Sequence, residues 1–129
     1  MSKISHHHLL MNGTAYQPPQ HVESVLVWLR QLVETIGMKV VTGPHAHYVE
    51  TEGNRGITAT VCIETSHISF HVWDEEVPAR VQFDLYTCSH LPVDTVLREC
   101  EKFFDLVDYN YVVLNREDGF VIEKTGQRI

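Results

Sequence analysis

Three consecutive segments, residues 57–64, 66–73 and 80–87, alternate between apolar and polar side chains. That period of two constrains the fold more than any other feature of the chain. Side chains of a strand point to opposite faces in turn. In the first segment Ile57, Ala59, Val61 and Ile63 oppose Thr58, Thr60, Cys62 and Glu64. In the second Ile68, Phe70 and Val72 oppose His67, Ser69, His71 and Trp73, and in the third Val81, Phe83 and Leu85 oppose Gln82, Asp84, Tyr86 and Cys88. Each strand offers one apolar side to a core. The other sides collect Thr58, His67, Ser69, His71, Trp73, Asp84, Tyr86 and Cys88 without a lysine among them. A solvated face is normally richer in Lys, Glu and Gln, so this one is expected to be partly buried, against a second subunit.

Two helical stretches are available to cover the apolar side. Val22, Val25, Leu26, Leu29, Leu32, Val33 and Ile36 recur at helical spacing and stop at Gly37. Val93, Val96, Leu97, Cys100, Phe103, Phe104 and Val107 do the same, with Pro92 near the first turn. Residues 4–12 predict a first strand and 13–19 a loop ended by Pro18-Pro19. Residues 38–42 predict a short strand and 43–55 a polar loop, while 109–114 and 120–123 predict the last strands around a turn at 115–119. The order is roughly β-α-β-β-β-α-β. It implies an α+β, two-layer sandwich: an antiparallel sheet with two helices packed on one face. At 129 residues the chain is read as one domain, 1–129, with enough length for a core.

A formal net charge of −7 argues against nucleic acid as a partner and against a basic membrane-binding face, and it suits a cationic substrate. Cys62, Cys88 and Cys100 form no regular framework and are read as reduced thiols of a cytoplasmic protein, Cys62 and Cys100 as packing residues. No signal peptide and no membrane-spanning apolar stretch is evident. His6-His7-His8 lies between Ile4 and Leu9-Leu10-Met11 and reads as native sequence rather than a tag.

The chemistry-bearing groups concentrate in Glu64-Thr65-Ser66-His67-Ile68-Ser69-Phe70-His71, continue through Trp73 to Glu75, and end with Thr87-Cys88. This run, within about residues 53–90, resembles the small prokaryotic type of S-adenosylmethionine decarboxylase proenzyme. The resemblance implies self-cleavage between residues 65 and 66, giving pieces 1–65 and 66–129, with Ser66 converted to a pyruvoyl cofactor. It implies that His71 removes the serine α-proton, that Thr58 assists processing where the family has a serine, and that Cys88 returns a proton to the substrate. The pyruvoyl group would bind the amine of S-adenosylmethionine as a Schiff base and take up the electrons released with carbon dioxide. The product is the aminopropyl donor for spermidine biosynthesis. Glu75, in the retained His71-x-Trp73-x-Glu75 spacing, matches the carboxylate that binds the ribose hydroxyls; Trp73 and Glu64 are assigned to substrate binding with it. The family's small form works as a homodimer with sites near the subunit interface.

Two departures stand out. The family usually has a glutamate directly before the reactive serine; here that residue is Thr65, with Glu64 one place earlier. The stretch from His71 to Cys88 is longer than the family pattern by about two residues, which the turn around residues 76–80 can absorb. Two alternatives therefore stand beside the main reading: a pyruvoyl decarboxylase of ornithine or arginine, or an unprocessed, non-catalytic homologue.

Taken singly, the residues are bland, since a lone cysteine at a strand end is more often a small packing residue than a catalyst. A zinc site from His67, His71 and Cys88 is not expected. The two histidines lie four residues apart on one strand, about 13 Å by strand rise, and no Cys-x-x-Cys pair accompanies them. A Cys88–His71 acyl-transfer pair lacks an evident oxyanion loop.

Overall fold

The computed structural model describes residues 6–128. In chain order the elements are β1 (His7–Ala15), α1 (Val22–Thr35), β2 (Val40–Val49), β3 (Gly56–Ile63), β4 (Ser66–Trp73), β5 (Ala79–Thr87), α2 (Val93–Phe104), β6 (Leu106–Asn115) and β7 (Val121–Arg128). The strands form one seven-stranded sheet in the order β2-β3-β4-β5-β1-β6-β7, antiparallel at every pairing. The fold is the expected α+β two-layer sandwich. Residues 4 and 5 of the predicted first strand lie outside the described residues.

Strand parity decides the core. Ile57, Val61, Ile68, Val72, Val81 and Leu85 are fully buried beneath the helices, joined by Leu9 and Met11 of β1. Trp28 of α1 ties the layers together. Its ring stacks on Phe103 of α2 at 4.2 Å and meets the edges of Phe70, Phe83 and Phe104. Each such aromatic pair adds about 0.5–1.5 kcal/mol beyond the area it buries. Trp28 stands outside the stripe read from the sequence because that stripe followed the aliphatic residues alone.

Four boundaries differ from expectation. β1 runs on to Ala15, so residues 13–15, predicted as loop, pair with residues 79–81 of β5. Residues 43–49, predicted as loop, belong to β2. The Gly43-Pro44 step that reads as a breaker is carried by a register shift between Thr42 and His45, with Gly43 at φ 93°, so the proline sits at a bulge rather than in the ladder. Asp105 at φ 54° ends α2, so Val107 leaves the helical stripe and lies 44% exposed on β6. β7 runs on to Arg128, where Gly126 lets the Tyr111 ring of β6 lie against its backbone: an added Cβ would stand 2.6 Å from that ring. Cys100 is buried as expected, but Cys62 is exposed because it shares the polar parity of Thr58 and Thr60. No helix among the described residues is long and apolar enough to cross a membrane.

Candidate active site

Two separated clusters lie at opposite ends of β4, with a carboxylate between them on the polar side of the sheet. The first surrounds Ser66. A two-residue turn, Glu64-Thr65, joins β3 to β4, and Ile63 pairs with Ser66 across it. Ser66 has φ 149°; among the described residues only Asp105 shares a positive φ without being glycine. A residue bearing a β-carbon is strained there, and such strain is characteristic of functional positions. This is the local break that a serine needs in order to reach its own preceding carbonyl.

That carbonyl is already engaged. The Cys88 backbone N–H donates to the Thr65 oxygen at 3.0 Å. Thr87, opposite Ser66 in the β4–β5 register, donates its hydroxyl to Thr65 Oγ1 at 2.8 Å and accepts the Ser89 N–H at 3.1 Å. An N–H aimed at a carbonyl that becomes tetrahedral stabilises the developing oxyanion. Cys88 lies half-buried beside this point. The Glu64 side chain points into solvent, while its N–H donates to the Lys39 carbonyl at 3.0 Å.

The second cluster lies at the far end of β4. His71 Nδ1 is 2.8 Å from the Thr58 hydroxyl, and the ring meets Trp73 edge-on at 4.2 Å. Trp73 Nε1 donates to Asn54 Oδ1 at 3.0 Å. Burial lowers the His71 pKa below its ordinary 6.5, so the imidazole is neutral at neutral pH and able to accept a proton. Both carboxylate oxygens of Glu75 accept backbone N–H bonds, from Gly53 and Arg55, each at 3.1 Å. Those two bonds, Gly53 first, hold its pKa below the usual carboxylate value. A groove of about 500 Å³ passes His45, His47, Thr58, Ser69, His71 and Asp84. A second, of about 660 Å³, is lined by Trp73, Glu75, Arg80 and Gln82 among others.

One chain does not bring the two clusters together. Ser66 and His71 are five residues apart on an extended strand, ~16 Å along its axis. Ser66, Thr65 and Cys88 stand at one end; Thr58, His71, Trp73 and Glu75 stand at the other.

Between them, Asp84 is a hub that alternation alone left without a role. Its Oδ2 lies 2.7 Å from His8 Nε2 and 3.2 Å from His67 Nε2, and its Oδ1 accepts the Ser69 hydroxyl at 2.6 Å. Burial pushes the Asp84 pKa up, but the bonds from His8, Ser69 and His67 outweigh it and the net shift is downward. The ligand-type atoms of His8, His67 and Asp84 all lie within 4.8 Å, a spacing that a metal ion could use. Arg116 Nη1 is 3.2 Å from His8 Nδ1 and can only donate, so His8 carries its proton on Nε2 and gives it to Asp84.

Sequence reasoning gave no role to Thr87, Ser89 and Asn54, or to the buried Asp74, which binds the Tyr48 hydroxyl and Arg55 Nε at 2.8 Å each. A signal existed for Thr87: it has the parity of Val81, Phe83 and Leu85 and is a fully buried hydroxyl among them.

The model of the S-adenosylmethionine decarboxylase family matches residues 7–117. A protein of Persephonella marina named S-adenosylmethionine decarboxylase proenzyme is 29% identical over 130 residues, covering 99% of this chain and 85% of the relative. One of the same name from Sulfurihydrogenibium sp. is 31% identical over 90 residues, 68% of this chain and 63% of the relative. Another from Clostridium botulinum is 26% identical over 89 residues, 67% of this chain and 72% of the relative.

Proposed function

The chain belongs to the S-adenosylmethionine decarboxylase family, and on that premise we propose that it cuts its own backbone between Thr65 and Ser66 and then removes the carboxylate of S-adenosylmethionine. The observation that carries this reading is the Cys88 N–H on the Thr65 carbonyl, next to a serine held at φ 149°.

The Ser66 hydroxyl attacks the Thr65 carbonyl carbon. The C–N bond breaks, the hydroxyl proton ends on the freed amine, and an ester replaces the amide; the Cys88 N–H stabilises the oxyanion in between. A base takes the Ser66 α-proton, the Cβ–O bond breaks, and residues 1–65 leave with a carboxylate. The dehydroalanine left on residue 66 takes up water and loses ammonia, giving a pyruvoyl-capped fragment 66–129. What that group supplies is an electrophilic carbonyl that binds the substrate amine and accepts the electron pair left by carbon dioxide. Cys88 holds the proton that returns to the substrate α-carbon. Glu75, fixed by two amides, presents its remaining lone pairs to the ribose hydroxyls beside Trp73, with Glu64 in the turn at the serine end. The decarboxylated product is the aminopropyl donor for spermidine biosynthesis.

His71 is assigned as the base, with Thr58 as its partner. A second copy of the chain supplies them, together with Trp73 and Glu75 of the same end, because within one chain His71 is ~16 Å from Ser66. The open polar side of the sheet, with its groove of about 500 Å³, is the face a homodimer would cover.

The test is the denaturing mass of freshly purified protein, together with release of labelled carbon dioxide from carboxyl-labelled S-adenosylmethionine. Two fragments, the second pyruvoyl-capped, and release from this substrate support the reading. A chain that stays whole points to a non-catalytic homologue, and fragments without release point to another amino-acid substrate such as ornithine or arginine.

His71→Ala should slow cleavage by on the order of 10²–10⁴. Burial disfavours the imidazolium, so the base stays neutral to lower pH than a free histidine. The cleavage rate of the unmodified chain should therefore fall only when pH drops through a value below 6.5. A rate profile between pH 5 and 9 checks this (range chosen about the ordinary histidine pKa); an acid limb above the ordinary value would contradict the assignment.

A further inference from the structure

We propose that Thr87 is a positioning residue for the self-cleavage: its buried hydroxyl, oriented by Ser89, grips the Thr65 side chain and so keeps the Thr65 carbonyl on the Cys88 amide. The inference rests on the self-cleavage reading above and goes beyond it by assigning a residue that touches no substrate.

Thr87 lies on the core side of β5, among Phe83, Leu85 and Val81, and is fully buried. A hydroxyl in such a place needs partners, and its partners are few. It accepts the Ser89 N–H at 3.1 Å, meets the Ser89 hydroxyl at 3.1 Å, and donates to Thr65 Oγ1 at 2.8 Å. A threonine hydroxyl has one proton and two lone pairs. With its proton on Thr65, Thr87 takes both Ser89 contacts as acceptor. The chain of hydroxyls therefore runs in one sense, from Ser89 to Thr87 to Thr65. The proton of Thr65 is left facing the Met38 sulfur at 3.8 Å, a weak acceptor.

Residue 65 is thus gripped twice by consecutive residues of one strand end: its side chain by Thr87 and its carbonyl oxygen by the Cys88 N–H at 3.0 Å. Threonine is stiff about χ1, so fixing its hydroxyl fixes how the residue sits in the Glu64-Thr65 turn. The strained serine that follows, at φ 149°, gives that turn a reason to relax if the grip is lost. Relaxation would swing the Thr65 carbonyl away from both the amide and the Ser66 hydroxyl. The threonine at 65, where the family usually has glutamate, is in this view the side chain that the Thr87 hydroxyl is built to hold.

The experiment follows conversion of freshly made full-length chain into fragments 1–65 and 66–129 by denaturing mass, for the unmodified protein, Thr87→Ser, Thr87→Val, Thr65→Val and the Thr65→Val/Thr87→Val pair. Misplacing a reacting group by about 1 Å costs on the order of 10²-fold in rate, so Thr87→Val should cleave roughly 10–100-fold more slowly and Thr87→Ser should restore most of the rate. Thr65→Val should cost about as much, and the pair no more than either alone, because both break one linkage. The paired variant replaces two bonded hydroxyls by apolar groups of the same shape, which is close to neutral for folding. It therefore decides the matter if Thr87→Val alone misfolds. A folded Thr87→Val or paired variant that cleaves as fast as the unmodified chain overturns the proposal alone. An unmodified chain that never cleaves overturns it together with the reading it rests on.

Discussion

Ser66→Ala should leave a single uncleaved chain under conditions in which the unmodified protein becomes two fragments. The substitution removes only Oγ, the atom proposed to attack the Thr65 carbonyl, and keeps the β-carbon. The surrounding contacts survive it: the Cys88 N–H on Thr65 O, the Thr87–Thr65 hydroxyl pair, and the pairing of residue 66 with residues 63 and 87. What is lost is the intramolecular route itself, and enzymatic accelerations of this kind are at least about 10⁶-fold. Cleavage should fall below detection, and carbon dioxide release with it. Ser66→Gly separates strain from chemistry. It also lacks the hydroxyl, but glycine accepts φ 149° without penalty. Relief of about 1–3 kcal/mol of strain, less about 0.5–1 kcal/mol for glycine's greater entropy loss, should leave it whole and slightly more stable than the alanine variant. Denaturing mass and thermal melts read both. Fragments from Ser66→Ala cut at the same bond would show that Ser66 is not the nucleophile.

Gly56→Ala should be the most damaging single methyl in the sheet. Gly56 opens β3 at φ 140°, and a β-carbon there would stand 1.8 Å from the Val72 carbonyl oxygen and 2.7 Å from its carbon. Those atoms are backbone of β4 and cannot rotate away. The strands would have to part where the Asp74 N–H meets the Arg55 carbonyl and where Asp74 binds Tyr48 and Arg55. A loss above about 4 kcal/mol is expected, in the range reserved for severe clashes. Domains of this kind hold about 5–15 kcal/mol, so the variant should melt at least about 10 °C lower or fail to accumulate as soluble protein. Gly119→Ala is the matched control: its φ is 80°, but nothing lies within 4 Å of the added carbon. It should lose only about 1–2 kcal/mol, the cost of a left-handed backbone. Equal melting temperatures for the two variants would refute the steric account. Because β3 and β4 carry Thr58 and His71 in register, the Gly56 variant should also lose the His71–Thr58 contact.

The apolar faces of the central strands were legible because alternation is a local property and every inward residue of that pattern is buried. The same parity put His67, Ser69, His71 and Asp84 on one side. It could not say which of them touch. The Asp84 hub depends on β1 inserting between β5 and β6, which brings His8 to the carboxylate from a strand 76 residues away in sequence. Residues 43–49 read as loop in the sequence because Gly43-Pro44 breaks a local pattern, whereas pairing with β3 around a bulge restores a strand.

The sequence by itself determined the layers, the sidedness of the sheet and the run from Glu64 to Glu75 on which the proposed site is built, since each is written in spacings of two to four residues. Only the tertiary structure decided the rest: that Ser66 is strained, that the Cys88 amide meets the Thr65 carbonyl, that Thr87 is the buried hydroxyl gripping Thr65, and that His71 stands a strand's length from the serine. Those follow from register between strands distant in the chain, set by how seven strands share one core, and no local pattern encodes it.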